Sequence, residues 1–426
     1  MTSSLPLRSL GEMLSAQKTK TAGVKNPAMP YVGLEHMASE SSDLVGWSRA
    51  GSSISTNSVF IAEDVLFGKL RPNLRKCVLA PFVGYCSTDI LVLRSREGVH
   101  PPFAAKVCQS DAVFREASAT AIGTKMPRTS WGAVEGFRVF CPGESEQRRI
   151  AAVLDTLDDA TRETEDLIAK LKLIKQGLLH DLLTRGVGES GDLRPPSDES
   201  PQLYIDSPLG KIPAGWVVAE VGSLLADVDP AMRSGPFGSA LLKHELVESG
   251  IPLLGIDNVH RERFVPEYAR FVSPTKAREL SRYRVRPGDV MITIMGTVGR
   301  CCLAPEDIGD ALSSKHIWTL TLDRQRYSPF LACAQFNHAP WVLAHFSQDE
   351  QGGIMSAIRS DTLRSTLLRV PPIPEQHRME AILAAFDQRF RRETDLANKL
   401  RTLKHGLGND LLTGIVRVPV AEEAAT

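Results

Sequence analysis

The residues of this chain that invite a chemical reading are mostly cationic, and none of them falls into a catalytic spacing. Gly68-Lys69-Leu70 pairs a glycine with a lysine but lacks the earlier glycine and the following Ser/Thr of a phosphate-gripping P-loop. Gly296-Thr297-Val298-Gly299 follows the apolar run Val290–Ile294 and reads as a turn at a strand end, not as a nucleotide loop. His244-Glu245 has no second histidine at the spacing of a zinc-binding helix, and the ten histidines form no ligand cluster. No Asn-Pro-Pro-Tyr-type amino-methyltransferase motif occurs. Cys77, Cys86, Cys108, Cys141, Cys301, Cys302 and Cys333 make no CxxC pair. Reduced, buried thiols are therefore expected in place of structural zinc or a disulfide framework. Catalytic residues and metal ligands are assigned to none of these positions.

Binding chemistry remains. Lys and Arg hold phosphates, while Arg, Asn, Gln, Ser and Thr reach the edges of bases. In the first half of the chain the candidates are Lys18, Lys20 and Lys25; Lys69, Arg71 and Arg75, with Lys76 beside them; and Lys125 and Arg128, followed by Trp131. In the second half they are Arg233, Arg261, Arg263, Arg282, Arg300, Lys315 with His316, and Arg359. A single surface arginine is more often only solvated, so the clusters carry the reading. Lys69 and Arg71 have bracing a turn as their alternative, and Trp131 and Trp216 read as core. Overall charge is balanced, 50 basic against 50 acidic residues, which argues against wholesale coating of nucleic acid. Residues 1–143 nevertheless hold 16 Lys/Arg against 11 Asp/Glu, and the acidic excess falls elsewhere, including Gly188–Pro208.

The elements that must position these residues come in two copies. Glu146–Val187 recurs as Glu375–Val416, an offset of 229 residues that holds without a gap. Glu-Gln opens both copies and Asp-Leu-Leu-Thr closes both (Asp181–Thr184, Asp410–Thr413). Leu154, Leu157, Ile168, Leu171 and Leu178 fall on three- and four-residue steps, as do Leu383, Phe386, Leu400 and Leu407. This spacing predicts two long packed helices. A second stripe lies beside each seam: Val153, Leu167 and Ile174 in one copy, Ile382, Leu396 and Leu403 in the other. Two stripes exceed a simple coiled-coil seam, so each helix is expected to pack on its twin and on something else. Gly406 and Gly408 weaken the second helix by about 1 kcal/mol each and predict fraying or a bend there.

The fold class is α+β: two mixed α/β domains, each followed by a long helix, with the helices pairing antiparallel in pseudo-two-fold symmetry. The expected boundaries are 1–143, first domain; 144–187, first helix; 188–208, linker; 209–372, second domain; 373–418, second helix; and 419–426, disordered tail. Val59–Ile61, Val65–Phe67, Val78–Leu79 and Ile90–Leu93 read as strands and Phe103–Phe114 as helix. The linker, with Pro195-Pro196, Pro201 and Pro208, reads as an extended, exposed connector as far as Pro213. The globular domains echo each other more weakly than the helices. Asp64–Gly68 matches Asp289–Thr293, Ser87–Ile90 matches Ser314–Ile317, and Gly123–Met126 matches Gly352–Met355.

With these motifs in hand, the chain resembles the specificity subunits of type I restriction–modification enzymes over nearly its whole length. The carrying residues are Glu146–Ile150 and Asp181–Thr184 with their repeats, Asp64–Pro72, Ser87–Asp89, Gly123–Arg128 and Ile212–Trp216. One departure is that Leu5–Leu10 lacks the Pro-x-Gly-Trp preamble of the second half. The resemblance implies two target-recognition domains, each reading half of a bipartite double-stranded DNA sequence, with the helices as spacer. It implies two methyltransferase subunits and motor-nuclease subunits as partners. No cofactor is expected on this chain; S-adenosylmethionine, ATP and Mg²⁺ belong to the partners. With no secretory signal or membrane-length apolar run, a cytoplasmic location is expected. The rivals are a protein-binding adaptor, a stand-alone DNA-binding protein without restriction partners, and a free-standing enzyme such as a nuclease.

Overall fold

The computed structural model describes residues 5–21, 26–40, 42–52, 56–350 and 357–418; Lys25, the echo at Gly352–Met355 and the expected tail at 419–426 lie outside them. The chain divides into two compact units, one of Met1–Ile168 with Arg392–Thr426 and one of Ala169–Arg391. The two long helices, Glu144–Thr184 and Ile373–Thr413, each give one part to either unit.

In the first unit, the β-rich runs build a four-stranded sheet in the order Leu14–Ala16, Ile90–Ser95, Val65–Gly68, Cys77–Leu79. Alternate side chains enter opposite cores, as the period of two requires. Val65 and Phe67 join Phe103, Phe114, Phe140 and Ile150 on one face. Leu66 joins Val32, Phe60, Val78 and Val92 on the other. A second sheet of five short strands runs Lys20–Thr21, Asn57–Phe60, Gly84–Ser87, Pro30–Val32, Ser48–Arg49. The expected helix at Phe103–Phe114 is two helices, Pro101–Gln109 and Asp111–Ala119. Ser110 between them is extended and caps the second through the Val113 N–H, which breaks the run.

The second unit repeats the four-stranded sheet strand for strand: Met232–Ser234, Ile317–Leu320, Val290–Thr293, Cys301–Leu303. Val290 and Ile292 face the larger core with Leu331, Phe336 and Leu383. Met291 faces the smaller core with Val259, Cys302 and Ile317. Both units also close on a two-stranded ladder just before a long helix: Leu7–Ser9 with Arg138–Phe140, and Val217–Glu220 with Leu367–Val370. The peripheral sheets differ. The second unit has Leu246–Val247, Phe271–Val272, Ile251–Leu254 and Leu312–Ser313 in that order.

The helices pair antiparallel inside each unit. In the first, Lys404 reaches Asp158 while Arg401 donates to Glu165 at 3.0 Å, so numbering falls on one helix as it rises on the other. In the second, Lys175 stands 3.0 Å from Asp387, the equivalent pair after the 229-residue offset. Leu154, Ala397 and Leu411 are buried in the first unit, with Leu157, Ile168, Leu400 and Leu407 half-buried. Leu171 and Leu383 are buried in the second, with Leu178 and Phe386 half-buried. The predicted fraying is absent: the second helix runs unbroken through Gly406 and Gly408 to Thr413. Leu411 anchors its end in the first unit's core, and a Cβ at Gly408 would stand 3.7 Å from a Leu154 methyl. Packing on both sides of the glycines outweighs their propensity cost.

The repeated Glu-Gln pair has one job in both copies. Gln147 accepts from the His100 N–H at 2.8 Å and donates to the Gly98 and Pro142 carbonyls at 3.2 and 2.8 Å. Gln376 accepts from the Ser328 N–H at 2.8 Å and donates to the Arg326 and Pro371 carbonyls at 3.1 and 2.7 Å. Each glutamine thus pins the start of its unit's helical layer. Each glutamate grips chain that follows the other helix. Glu146 takes both guanidinium arms of Arg417 at 2.8 and 2.7 Å, and these bonds hold its carboxyl below the usual range. Glu375 takes Arg194, the Val187 N–H at 2.9 Å and the Trp216 indole N–H at 3.0 Å.

That grip corrects the expected linker. Many side chains of 188–208 are exposed, but the segment is not a loose connector. Arg194 is clamped to Glu375, Tyr204 is buried and donates to the Pro195 carbonyl at 2.7 Å, and Tyr204–Ser207 pairs with Gly210–Pro213. Composition signalled proline and acid, while the anchors are single residues far apart in sequence.

Candidate nucleic-acid interface

In each unit three loops meet at the same end of the four-stranded sheet, through the same backbone bonds. In the first, the Lys69 N–H donates to the Asp89 carbonyl at 3.0 Å and the Thr129 N–H donates to the Lys69 carbonyl at 3.0 Å. In the second, the Ile294 N–H donates to the His316 carbonyl at 2.9 Å and the Ile358 N–H to the Ile294 carbonyl at 3.4 Å. These positions are the ones the sequence echoes pair: 69 with 294, 89 with 316, 129 with 358.

The first junction collects Lys69, Arg71, Lys125 and Arg128. Arg71 adopts a left-handed backbone, φ +50°, and its N–H donates to the Pro127 carbonyl at 2.7 Å. Its guanidinium donates to the Lys125 carbonyl at 3.3 Å. The turn-bracing role foreseen for Arg71 therefore coexists with an exposed cation. Arg128 grips Asp89 with two bonds, at 3.0 and 3.3 Å. Ile122, 84% exposed, pairs with Arg128 across a bridge and puts an apolar tip beside the cations. Lys20 is exposed on an edge strand opposite Ser58, next to Thr21, whose partner Asn57 pairs in turn with Ser87, and Lys18 precedes it. Arg75 is elsewhere. It pairs with Asp111, lies 5.6 Å from the Phe114 ring, and lines a cavity of about 560 Å³ against the paired helices.

The second junction collects Lys315, His316 and Arg359. The Gly235 N–H donates to the Ser314 carbonyl at 3.1 Å and lays the Gly235-Pro236-Phe237 loop beside them. Burial, with Lys315 and Arg270 nearby, pushes the His316 imidazole below its ordinary value. A neutral ring offers one donor and one acceptor, which suits a base edge better than a phosphate. Arg300 closes the Thr293–Arg300 turn, its N–H on Thr293 Oγ1 at 3.1 Å. Arg261 and Arg263 flank Glu262 at a hairpin tip that is turned onto the first helix. Glu262 meets Lys175 and His338, each at 2.6 Å, and its N–H reaches the Cys301 carbonyl at 2.8 Å. This sets the hairpin tip that carries Arg261 and Arg263 against Cys301, the residue after Arg300. Arg282 lies on a separate turn, 5.5 Å from the Tyr283 ring.

Arg233 is a correction. It is 4% exposed and paired with buried Asp289, and it donates to the Arg284 carbonyl at 2.8 Å and Thr321 Oγ1 at 3.0 Å. A side chain so enclosed braces the sheet and reaches no phosphate. Sequence reasoning passed over Phe237. Phe237 had a usable signal, an aromatic set between Gly235-Pro236 and Gly238.

Each unit is thus a mixed α/β domain tied to parts of the long helices and carrying the same three-loop junction. Among curated proteins, the type I restriction enzyme MjaVIII specificity subunit of Methanocaldococcus jannaschii is 22% identical over 304 residues, 70% of this chain and 66% of that protein. The putative MjaX specificity subunit of the same organism is 24% identical over 284 residues, 66% of this chain and 60% of that protein. The matched stretches thus span less than two thirds of each relative, 66% and 60%. A chain solved in work on assembly and conformational transition of the type I R-M system superposes with TM-score 0.59 at 20% identity, covering 97% of this chain and all of that one. No family profile matches. The chain is thus similar in sequence to specificity subunits of type I restriction–modification enzymes, and shares its fold with a chain of such a system. Among the described residues, no helix is long and apolar enough to cross a membrane.

Proposed function

We propose that this chain is the non-catalytic DNA-reading subunit of a type I restriction–modification complex in the cytoplasm. Each unit lays its three-loop junction on DNA and reads one half of a bipartite target. The observation that carries the reading is the junction itself: one backbone design built twice, with different side chains on it. Lys69, Asp89 and Thr129 stand in one copy where Ile294, His316 and Ile358 stand in the other. A shared frame with divergent tips is what two half-sites of different sequence require. Methyltransferase subunits dock on the helix stripe left open, with Val153, Leu396 and Leu403 37–53% exposed in the first unit and Leu173 and Ile174 at 70% and 55% in the second. Those subunits bring S-adenosylmethionine, and motor-nuclease subunits bring ATP and Mg²⁺.

The test is to exchange residues 1–143 for the first domain of another specificity subunit and map modified bases in the host genome. One half-site should change and the other persist. Binding by the assembled complex should also fall steeply with salt, since phosphate contacts release counterions. A change in both half-sites, or a flat salt response, contradicts the proposal.

A further inference from the structure

We propose that Phe237 contacts the C5-methyl group of a thymine in the half-site read by the second unit, an assignment that rests on the DNA-reading function proposed above. Phe237 is 60% exposed, whereas Arg233, Ser234, Gly235 and Pro236 before it are all buried. It belongs to none of the apolar clusters formed by the described residues. Folding therefore gives no reason for a large aromatic here, and exposing one forgoes the gain its burial would bring.

The mount beneath it is stiff. A Cβ at Gly235 would stand 2.0 Å from the Ser313 carbonyl oxygen, so only glycine lets the loop lie flush on Ser313-Ser314. Pro236 fixes the next backbone angle. The Ala240 N–H returns to the Phe237 carbonyl at 3.2 Å, and Gly238 takes a left-handed φ of +56° that closes the turn. The Gly235–Ser314 bond holds this turn beside Lys315 and His316.

These neighbours divide the work of recognition. Lys315 suits a phosphate, and His316 carries a donor and an acceptor. Phe237 has neither, so on a base edge it matches only an apolar group. In the major groove that group is the thymine methyl; every other distinguishing feature is a donor or acceptor. The equivalent loop of the first unit, Lys18-Thr19-Lys20-Thr21, carries cations in place of the aromatic.

The experiment uses the complex of this chain with its methyltransferase subunits and duplexes of the mapped target. Uracil replaces each thymine of the target in turn, removing a methyl and leaving the pairing edge unchanged. At one thymine of the second unit's half-site, wild type should bind the uracil duplex roughly fourfold more weakly. F237A should bind thymine and uracil duplexes alike at that position, and both proteins should respond identically in the other half-site. The assignment is overturned if the uracil penalty persists in F237A, if F237A binds as wild type does, or if that half-site has no A·T pair. It is also overturned if F237A weakens every duplex equally and abolishes an unstacking signal from 2-aminopurine, for then the ring is a wedge between bases. A wild-type complex that leaves no bipartite modified motif refutes the DNA-reading function itself; a bipartite motif indifferent to position 237 refutes only this assignment.

Discussion

The two units solve one internal problem in two ways. Each buries an aspartate at the head of the same strand, Asp64 before Val65 and Asp289 before Val290, both 1% exposed. Each aspartate also accepts from an N–H three residues earlier, Ile61 at 2.9 Å and Arg286 at 2.6 Å. The cation differs. In the first unit it is Arg94, on the strand paired directly with Val65–Gly68, bonding at 2.7 and 2.8 Å. In the second, the matching position is Thr321, which donates to Asp289 at 2.6 Å, and the cation is Arg233, one strand further out. A buried carboxylate demands a partner, but the sheet does not dictate which strand supplies it. Duplicated frames therefore keep the need and let the residues wander, inside the sheet as well as on the junction loops.

The sharpest way to break this comparison is to remove the cation. Arg233→Met leaves Asp289 enclosed and should cost the second unit about 3–5 kcal/mol. Arg94→Met should cost about 1–3 kcal/mol, because Arg94 is 40% exposed and water takes its place. Moving the partner back, by Arg233→Gln with Thr321→Arg, should recover at least half of the larger loss. Native-state hydrogen exchange reads each unit separately. A double variant no better than Arg233→Met would show that the two frames are not interchangeable.

The glutamate clasps come next. Glu375→Ala strips partners from Arg194, the Val187 N–H and the buried Trp216 indole, for an expected loss of about 2–4 kcal/mol. Glu146→Ala should lose only about 1–2 kcal/mol, since Arg417 is 51% exposed. Exchange at the Val187 amide and at the Val418 amide, whose N–H lies 3.2 Å from Glu146, reports the two losses. Equal losses would mean that burial of the partner does not set the strength of the clasp.

Much of this frame was legible beforehand because it repeats. The 229-residue offset located both helices and both Glu-Gln pairs, and the weaker echoes aligned Asp64 with Asp289 and Ser87 with Ser314. The strands came from β-branched runs whose period two puts Leu66 and Phe67 on opposite cores. What stayed hidden depended on register between distant strands. Arg233 has the composition of a surface cation, and only its pairing with Trp318–Leu320 shows that it faces Asp289. Arg194 and Arg417 are likewise single cations whose partners lie 181 and 271 residues away. Gly408 carried a true propensity penalty that Leu154 offsets from another helix. For the junction, the cations were readable but not which ones converge: Lys69, Arg71, Lys125 and Arg128 do, while Arg75 does not.

Acid separates the units further. The second has a carboxylate at the hairpin tip, Glu262, held down to about 2 despite partial burial by bonds from His338 and Lys175. Its folded value is depressed, so its contribution is complete above the ordinary value of 4.5 and is lost as pH falls through about 2. With its side chain 31% exposed, about 1–2 kcal/mol is expected after screening. Glu262→Gln should remove that pH dependence from the second unit and leave the first unit's profile unchanged. Carboxyl NMR of Glu262 checks the midpoint; titration near 4.5 would mean that the tip is not tethered to the helix.

The mildest change tests the loops where the units diverge most. Lys20 is exposed on a two-residue strand, with Thr21 beside it buried, so Lys20→Gln leaves the sheet intact and should move stability by less than about 0.5 kcal/mol. If the ammonium meets a phosphate, the salt dependence of binding should lose about 0.9 in its log–log slope, and affinity should fall alike for all sequences. Phe237→Ala carries no charge change and should leave the slope unaltered while altering preference among sequences. The pair of measurements separates an electrostatic loop in the first unit from an apolar one in the second. An unchanged slope in Lys20→Gln would place that strand off the DNA, and with it the claim that the first unit's five-stranded sheet shares the binding face with Lys69, Arg71 and Arg128.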